Sequence, residues 1–212
     1  LAALPADTPI TQRLVEYQPL MHSLMFAGER DEAAALYAQL LEQVPPGVVG
    51  ELLRHQVEGT WLYWTGTPEQ LLTHAETMKA TYLALGQAEA AASVESMVIK
   101  AYVLSGEHER ALEHIDALVE KLPHWAATVR ALRLEALEGA EKWTELVEAT
   151  DDALAEDRAS TKFLLFKARG LIELERDAEA TEVLERALET WRDAEPNYQP
   201  MLEARRLLAT LR

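Results

Sequence analysis

The sequence predicts an all-α fold, a solenoid of five helical hairpins followed by a C-terminal capping helix. Ala, Leu and Glu dominate the 212 residues, β-branched residues are sparse, and Gly and Pro number nine each, which favours helix. Apolar residues recur at helical spacing along most of the chain. A turn-and-helix segment also repeats, because Gly28 and Gly106 each lie 17 residues before a proline, Pro45 and Pro123.

The first hairpin is expected over about 14–47. Tyr17 and Leu24 belong to the apolar stripe of its first helix, and Gly28 turns the chain. The return helix should stop at Pro45-Pro46-Gly47, because proline cannot continue a helix.

The second hairpin is expected over about 52–86. Thr67 and Gln70 have the spacing of a capping box, and Pro68 suits the first helical position. Gly86 is predicted to end the return helix as a left-handed cap.

The other hairpins are expected over about 92–125, 127–158 and 161–193, and the capping helix over 200–211. The fourth hairpin has no turn glycine and uses Ala140-Glu141-Lys142-Trp143 instead. Positions just after the turns are equivalent between units, and small or apolar residues there should be buried where two helices approach closely. They are Ala33, Leu71, Ala111, Leu146 and Ala180.

The repeat has a recognisable set of positions. They are Leu20, Gly28, Ala33, Tyr37 and Pro45 in the first unit, Tyr102, Gly106, Ala111 and Pro123 in the third, and Ala168, Leu171, Ala180 and Ala187 in the fifth. On these residues the chain resembles the tetratricopeptide repeat family, whose unit is a helical hairpin of 34 residues. The resemblance covers about 14–193, and it implies that 1–212 is a single repeat domain wound into a right-handed superhelix. The family's early tryptophan is absent, and Ile99 and Leu134 occupy positions where the family prefers a small residue.

The charge balance limits the partners. The chain has 36 acidic and 20 basic residues, a net charge of −16, and such a field repels phosphate backbones and anionic lipid. We therefore expect no binding to nucleic acid or membranes. Residues 107–157 hold 14 acidic and 5 basic residues, whereas 158–212 hold 10 of each, so a basic partner would be steered to the middle of the chain.

The sequence gives weak information about the compartment. It has no cysteine, its uncharged stretches are shorter than the ~18–20 residues that span a bilayer, and 1–9 lacks the features of a signal peptide. A start at Leu rather than Met is typical of a fragment or a processed chain, and both remain open. The composition is compatible with a bacterial cytoplasmic protein.

Motifs for catalysis are missing from the sequence. It contains no His-Glu-x-x-His, no Gly-x-Ser-x-Gly and no phosphate loop. The closest metal candidate is His108 and His114 with Glu109 and Glu113, but the histidines lie six residues apart, on opposite faces of a helix. We interpret this segment as a solvated surface, and we expect a non-enzymatic protein without cofactor or metal.

The resemblance implies a binding site. In tetratricopeptide repeat proteins the first helix of each unit lines a concave groove, which takes an extended peptide or a partner helix. Aromatic and methionine side chains there suit the apolar residues of a partner. Carried over to this chain, the groove residues are His22, Met25, Phe26, Gln56, Thr60, Tyr63, Trp64, Lys100, Glu135, Glu138, Lys162 and Arg169.

Two functions remain open at this stage. The first is a protein-interaction scaffold that binds a peptide or helix of another protein. An exposed Trp64 would favour it, whereas Tyr63 and Trp64 packed between hairpins would not. The second is the sensor region of a larger bacterial regulator, which binds a small ligand or oligomerises. The apolar residues of the last helix either face inward as a cap or form a strip that pairs two copies; they are Met201, Leu202, Leu207, Leu208 and Leu211.

Overall fold

The computed structural model describes residues 19–25, 27–156, 160–194 and 198–211, and it confirms the all-α prediction. Every regular element in these ranges is helical. The chain divides between Leu104 and Ser105 into two compact units, each with its own buried cores. Among the described helices, none is both long and apolar enough to cross a membrane.

The described residues of the first unit form six helical segments. They are the helical residues 19–25 (α1), Arg30–Gln43 (α2), Val48–Thr65 (α3), Pro68–Ala84 (α4), Ala88–Ser93 (α5) and Glu95–Leu104 (α6). Neighbouring helices pack on each other, and α4 packs on both α5 and α6. Helices α3 and α6 are also in contact, which places side chains from both on the same part of this unit.

The second unit contains six α-helices. They are His108–Lys121 (α7), Ala126–Gly139 (α8), Trp143–Glu156 (α9), Thr161–Glu173 (α10), Asp177–Thr190 (α11) and Gln199–Thr210 (α12). A single 3₁₀ turn, Pro123–Trp125, leads from α7 into α8. Each helix packs on the next, and the alternate helices α8, α10 and α12 also touch in sequence.

A left-handed residue separates two successive helices at several of the described turns. Gly28, Gly86 and Gly106 have φ of +83°, +71° and +76°, which glycine adopts without steric cost. Glu141 and Glu175 occupy the equivalent turns with φ of +56° and +57°. The predicted substitution of the turn glycine in the fourth unit is therefore confirmed, and the structure adds a second case at Glu175.

Four of these turns share one hydrogen-bond pattern. The amide that follows the left-handed residue donates to a carbonyl five residues earlier, which satisfies an end of the helix that would otherwise lack a donor. The bonds run from Glu29 N to Leu24 O (2.9 Å), Gln87 N to Tyr82 O (2.8 Å), Lys142 N to Leu137 O (3.0 Å) and Arg176 N to Leu171 O (2.9 Å).

A buried residue lies in the first turn of the helix that follows each of these turns. The five positions predicted to be equivalent are all fully buried, and each donates its amide to the carbonyl of the residue four positions earlier. Ala91 has the same bond, to Gln87 O at 3.0 Å, and is also buried. The sequence analysis missed Ala91 because it treated Gly86 only as the end of a unit, whereas Gly86 forms the same turn as Gly28.

The capping box is confirmed, and the helix near the expected start of the third hairpin, about 92, has an interruption. Thr67 N donates to Gln70 Oε1 at 2.8 Å, and Gln70 N donates to Thr67 Oγ1 at 3.3 Å. The first helix of the third hairpin begins at Ala88 rather than near 92, and it is interrupted at Val94. The hydroxyls of Ser93 and Ser96 donate to carbonyls three residues earlier, a pattern that competes with the helical ladder.

The last helix packs mainly inward. Met201 and Leu208 are buried in the core of the second unit, and Leu207 and Leu211 pack against that core. Leu202 points outward and is 40% exposed. Of the two alternatives, this arrangement favours a cap over a continuous apolar strip.

We predict that Glu141→Gly stabilises the protein, because glycine removes the steric cost of a left-handed φ at a residue with a Cβ. The free energy of unfolding should rise by up to about 1 kcal/mol relative to Glu141→Ala, which also removes the carboxylate but keeps the Cβ. Urea unfolding of both variants measures the difference. Equal stability of the two variants would argue against a left-handed residue at this turn.

Candidate functional site

Three aromatic rings and one lysine form a continuous series of contacts in the first unit. The His22 and Trp64 rings meet edge to face with centroids 5.3 Å apart, and Trp64 meets Tyr63 in the same way at 5.8 Å. Lys100 Nζ lies 5.6 Å from the centroid of the Tyr63 ring, within cation–π distance. We call His22, Tyr63, Trp64 and Lys100 the aromatic strip. All four were predicted as groove residues.

Helix α3 is held in place by another aromatic pair. Trp61 stacks on Tyr37 of α2 with centroids 4.9 Å apart and planes 11° apart. Burial, and then the nearby carboxylate of Glu58, raises the pKa of Tyr37. Trp61 fixes α3 against α2 and so also positions Tyr63 and Trp64, which lie two and three residues further along the same helix.

The aromatic strip is neither fully exposed nor part of the core. Tyr63, Trp64 and Lys100 are half-buried, and His22 is more exposed. Partial burial nevertheless lowers the pKa of the His22 imidazole, because desolvation disfavours its charged form. The strip therefore combines ring surface that is accessible to solvent with side chains that are already positioned by one another.

Other residues predicted for this part of the groove have different roles. Met25 packs against the core formed by α1, α2 and α3. Gln56 Nε2 donates to the Tyr82 hydroxyl on α4 at 3.5 Å, and the Thr60 hydroxyl donates to the Gln56 carbonyl at 2.9 Å. Phe26 lies outside the described residues.

The charged groove residues of the second unit form a network of ion pairs. Lys162 Nζ lies 3.2 Å from Glu135 Oε1. Arg169 donates to both oxygens of Glu138 at 2.9 and 3.2 Å, and to Glu203 Oε1 at 2.9 and 2.6 Å. Arg169 on α10 thus links α8 to α12, and its positive charge is already matched by two carboxylates.

The environment of Arg169 stabilises its charge. Desolvation acts to lower its pKa, but the charges and hydrogen bonds of Glu138 and Glu203 raise the pKa above its ordinary value. Among the described residues, the carboxylates of Glu135, Glu138 and Glu203 pair with Lys162 and Arg169 in this network.

The sequence analysis missed two residues of this network. Phe166 is buried, with Lys162 Nζ 5.8 Å and Arg169 Cζ 5.4 Å from its ring centroid. The signal was present, because Phe166 lies four residues after Lys162 and three before Arg169, on one helical face. Glu203 comes from the capping helix, and no sequence motif joins it to Arg169.

The sequence analysis also missed a group of potential metal ligands. Within 19–25, 27–156, 160–194 and 198–211, one set of three histidine or carboxylate side chains converges, and it consists of His55, Glu58 and His74. His55-x-x-Glu58 places two of them on one face of α3, and this spacing was readable from the sequence. His74 on α4 was not linked to it by any motif.

The comparisons with known proteins give no family. No protein-family model matches this chain, and none of the curated proteins compared with it is similar in sequence. Any assignment of function therefore depends on the geometry of the chain's own residues.

We predict that Arg169→Gln destabilises the protein, because it leaves Glu138 and Glu203 half-buried without their cation. The free energy of unfolding should fall by about 1–2 kcal/mol. This loss is smaller than the cost of breaking a fully buried ion pair, because all three side chains are partly exposed to solvent. Arg192→Gln is the matched control, since its side chain is 76% exposed and its pair with Asp193 is 3.7 Å long. Urea denaturation should separate the two variants, and equal losses would contradict the role of the network.

We predict that the His22 imidazole titrates below its ordinary value of about 6.5, because its ring is partly buried against Trp64. Trp64→Ala should raise the His22 midpoint toward the ordinary value by restoring solvent around the ring. NMR titration of the His22 ring protons measures both midpoints. A midpoint that is unchanged by Trp64→Ala would contradict this assignment.

Proposed function

We propose that this chain is a non-enzymatic scaffold of the tetratricopeptide repeat type, which binds a peptide or helix of a partner protein. The aromatic strip is the observation that carries the proposal. It presents three rings from α1 and α3 beside a lysine from α6, all partly accessible to solvent. Rings that are already fixed by their neighbours lose little conformational entropy when they bind a partner.

The repeat geometry supports the family part of the proposal. In the second unit, the left-handed residues Gly106, Glu141 and Glu175 are spaced by 35 and 34 residues, close to the length of one tetratricopeptide repeat. Helices α8, α10 and α12 touch one another in sequence. These alternate helices form one layer, as expected when the first helices of successive hairpins line a common surface.

Apolar side chains of the partner would contact the aromatic strip, since aromatic residues most often provide binding energy in interfaces. The charge of the chain favours a basic partner, because the net charge is −16 and the segment 107–157 holds 14 acidic and 5 basic residues.

The proposal predicts that Tyr63→Ala/Trp64→Ala abolishes partner binding. Proteins captured from the source lysate by the wild-type chain and by the double variant are quantified by mass spectrometry. A protein retained by the wild type is then purified, and its affinity is measured directly. Loss of two aromatic anchors should weaken binding by about 100-fold or more, since anchors of this kind contribute about 2 kcal/mol or more each.

The control is Leu83→Ser, which removes an apolar side chain that is 55% exposed on α4 and lies outside the aromatic strip. Circular dichroism establishes that each variant keeps its helix content. Retention of the same partners at the same affinity by the wild type and the double variant would refute the aromatic strip as the binding site. A partner lost equally with Leu83→Ser would point to non-specific apolar contact.

A further inference from the structure

Two histidines and a glutamate converge between α3 and α4 in the first unit. His55 and Glu58 lie three residues apart on α3, and His74 faces them from α4. One ligand atom from each side chain lies within 4.8 Å of the other two. Neither the aromatic strip nor the ion-pair network uses any of these residues.

The His74 ring is held against α3 by a hydrogen bond. His74 Nε2 lies 3.0 Å from the His55 carbonyl oxygen, and because a carbonyl can only accept, Nε2 carries the hydrogen. In a neutral imidazole the lone pair is then on Nδ1. Histidine ligands of metals are commonly oriented by such a bond from one ring nitrogen to a backbone carbonyl.

The other two side chains have unused capacity to bind a cation. His55 Nδ1 is buried and has no hydrogen-bond partner among the described residues. A buried polar atom of this kind calls for an explanation, and an ion or a water molecule is the usual one. Glu58 is half-buried and forms no ion pair within the described ranges, so its carboxylate is available to a cation.

We propose that His55, Glu58 and His74 form a binding site for a divalent transition-metal ion, with Zn²⁺ as the best match. Two imidazoles and one carboxylate are the ligands of a three-residue zinc site, and they do not suit Ca²⁺, which takes six to eight oxygens. Ligand atoms of a tetrahedral zinc lie about 3.4 Å apart, and the three atoms here lie within 4.8 Å of one another, so rotations of the side chains must bring them closer.

The fourth coordination position is left for water or an exogenous ligand. All three side chains are only half-buried. His74 also lines a shallow, open depression of about 390 Å³ between α3 and α4, together with Leu62 and Thr73. Ion binding would tie α3 to α4 and so reinforce the helix that carries Tyr63 and Trp64.

Titration of the metal-free protein with ZnCl₂, followed by calorimetry, tests the proposal. The wild type should bind one Zn²⁺ per chain at this site, and saturating Zn²⁺ should raise the Tm by about 5 °C. His55→Gln, Glu58→Gln and His74→Gln should each weaken binding by about 10-fold or more, as even the loss of an outer hydrogen bond weakens metal sites by that factor. His124→Gln is the control, because this exposed histidine lies in the second unit, and it should bind like the wild type.

Visible absorption of bound Co²⁺ provides a second test, and it uses only the wild-type protein, so it does not depend on whether a variant folds. Co²⁺ bound by the wild-type protein should give the strong visible absorption of a four- or five-coordinate site, and Zn²⁺ should displace it at one equivalent. Absence of saturable Zn²⁺ binding, or a Co²⁺ spectrum like that of the hexaaqua ion, would overturn the proposal. Wild-type affinity in folded Glu58→Gln and His55→Gln, with loss in His124→Gln, would overturn it in favour of a surface site elsewhere.

Discussion

The structure depends on one local constraint, the left-handed residue that ends a helix and begins the next. At four of these turns the amide after that residue bonds a carbonyl five residues earlier, so the helix end is satisfied without water. The residue whose amide donates this bond also accepts one, because its own carbonyl bonds the amide of the residue four positions later. These later residues are Ala33, Ala91, Leu146 and Ala180. Because these residues are buried, the turn sets both the end of one helix and the face that the next helix turns inward.

The functional surfaces follow from this constraint. In the second unit the turns at Gly106, Glu141 and Glu175 each join one helix to the next, and the alternate helices α8, α10 and α12 contact one another in sequence. Arg169 can bridge Glu138 and Glu203 because its helix lies between theirs. In the first unit, Trp61 fixes α3 against α2, and the same helix carries Tyr63 and Trp64. Side chains far apart in sequence become neighbours because the local turns repeat.

Much of the fold was predictable because it is encoded locally. Helical spacing, the capping box at Thr67 and the left-handed cap at Gly86 were all read from short windows, and the structure confirms them. The break at Val94 was not predicted. At this point the Ser93 and Ser96 hydroxyls donate hydrogen bonds to backbone carbonyls, and the sequence does not reveal which carbonyls accept them. Contacts between distant helices were also missed. Glu203 approaches Arg169 and His74 approaches His55 only through tertiary packing, and no spacing rule on one helix can find such pairs.

The most direct test of this account is the backbone conformation of Glu141 and Glu175 in solution. Glycine adopts a positive φ readily, but glutamate does so only when the surrounding structure requires it. Backbone chemical shifts and residual dipolar couplings of the labelled protein report φ at both positions. The account predicts positive φ at Glu141 and at Glu175, with helical φ at the residues before them. Negative φ at both positions would contradict a common turn as the repeating element of the fold.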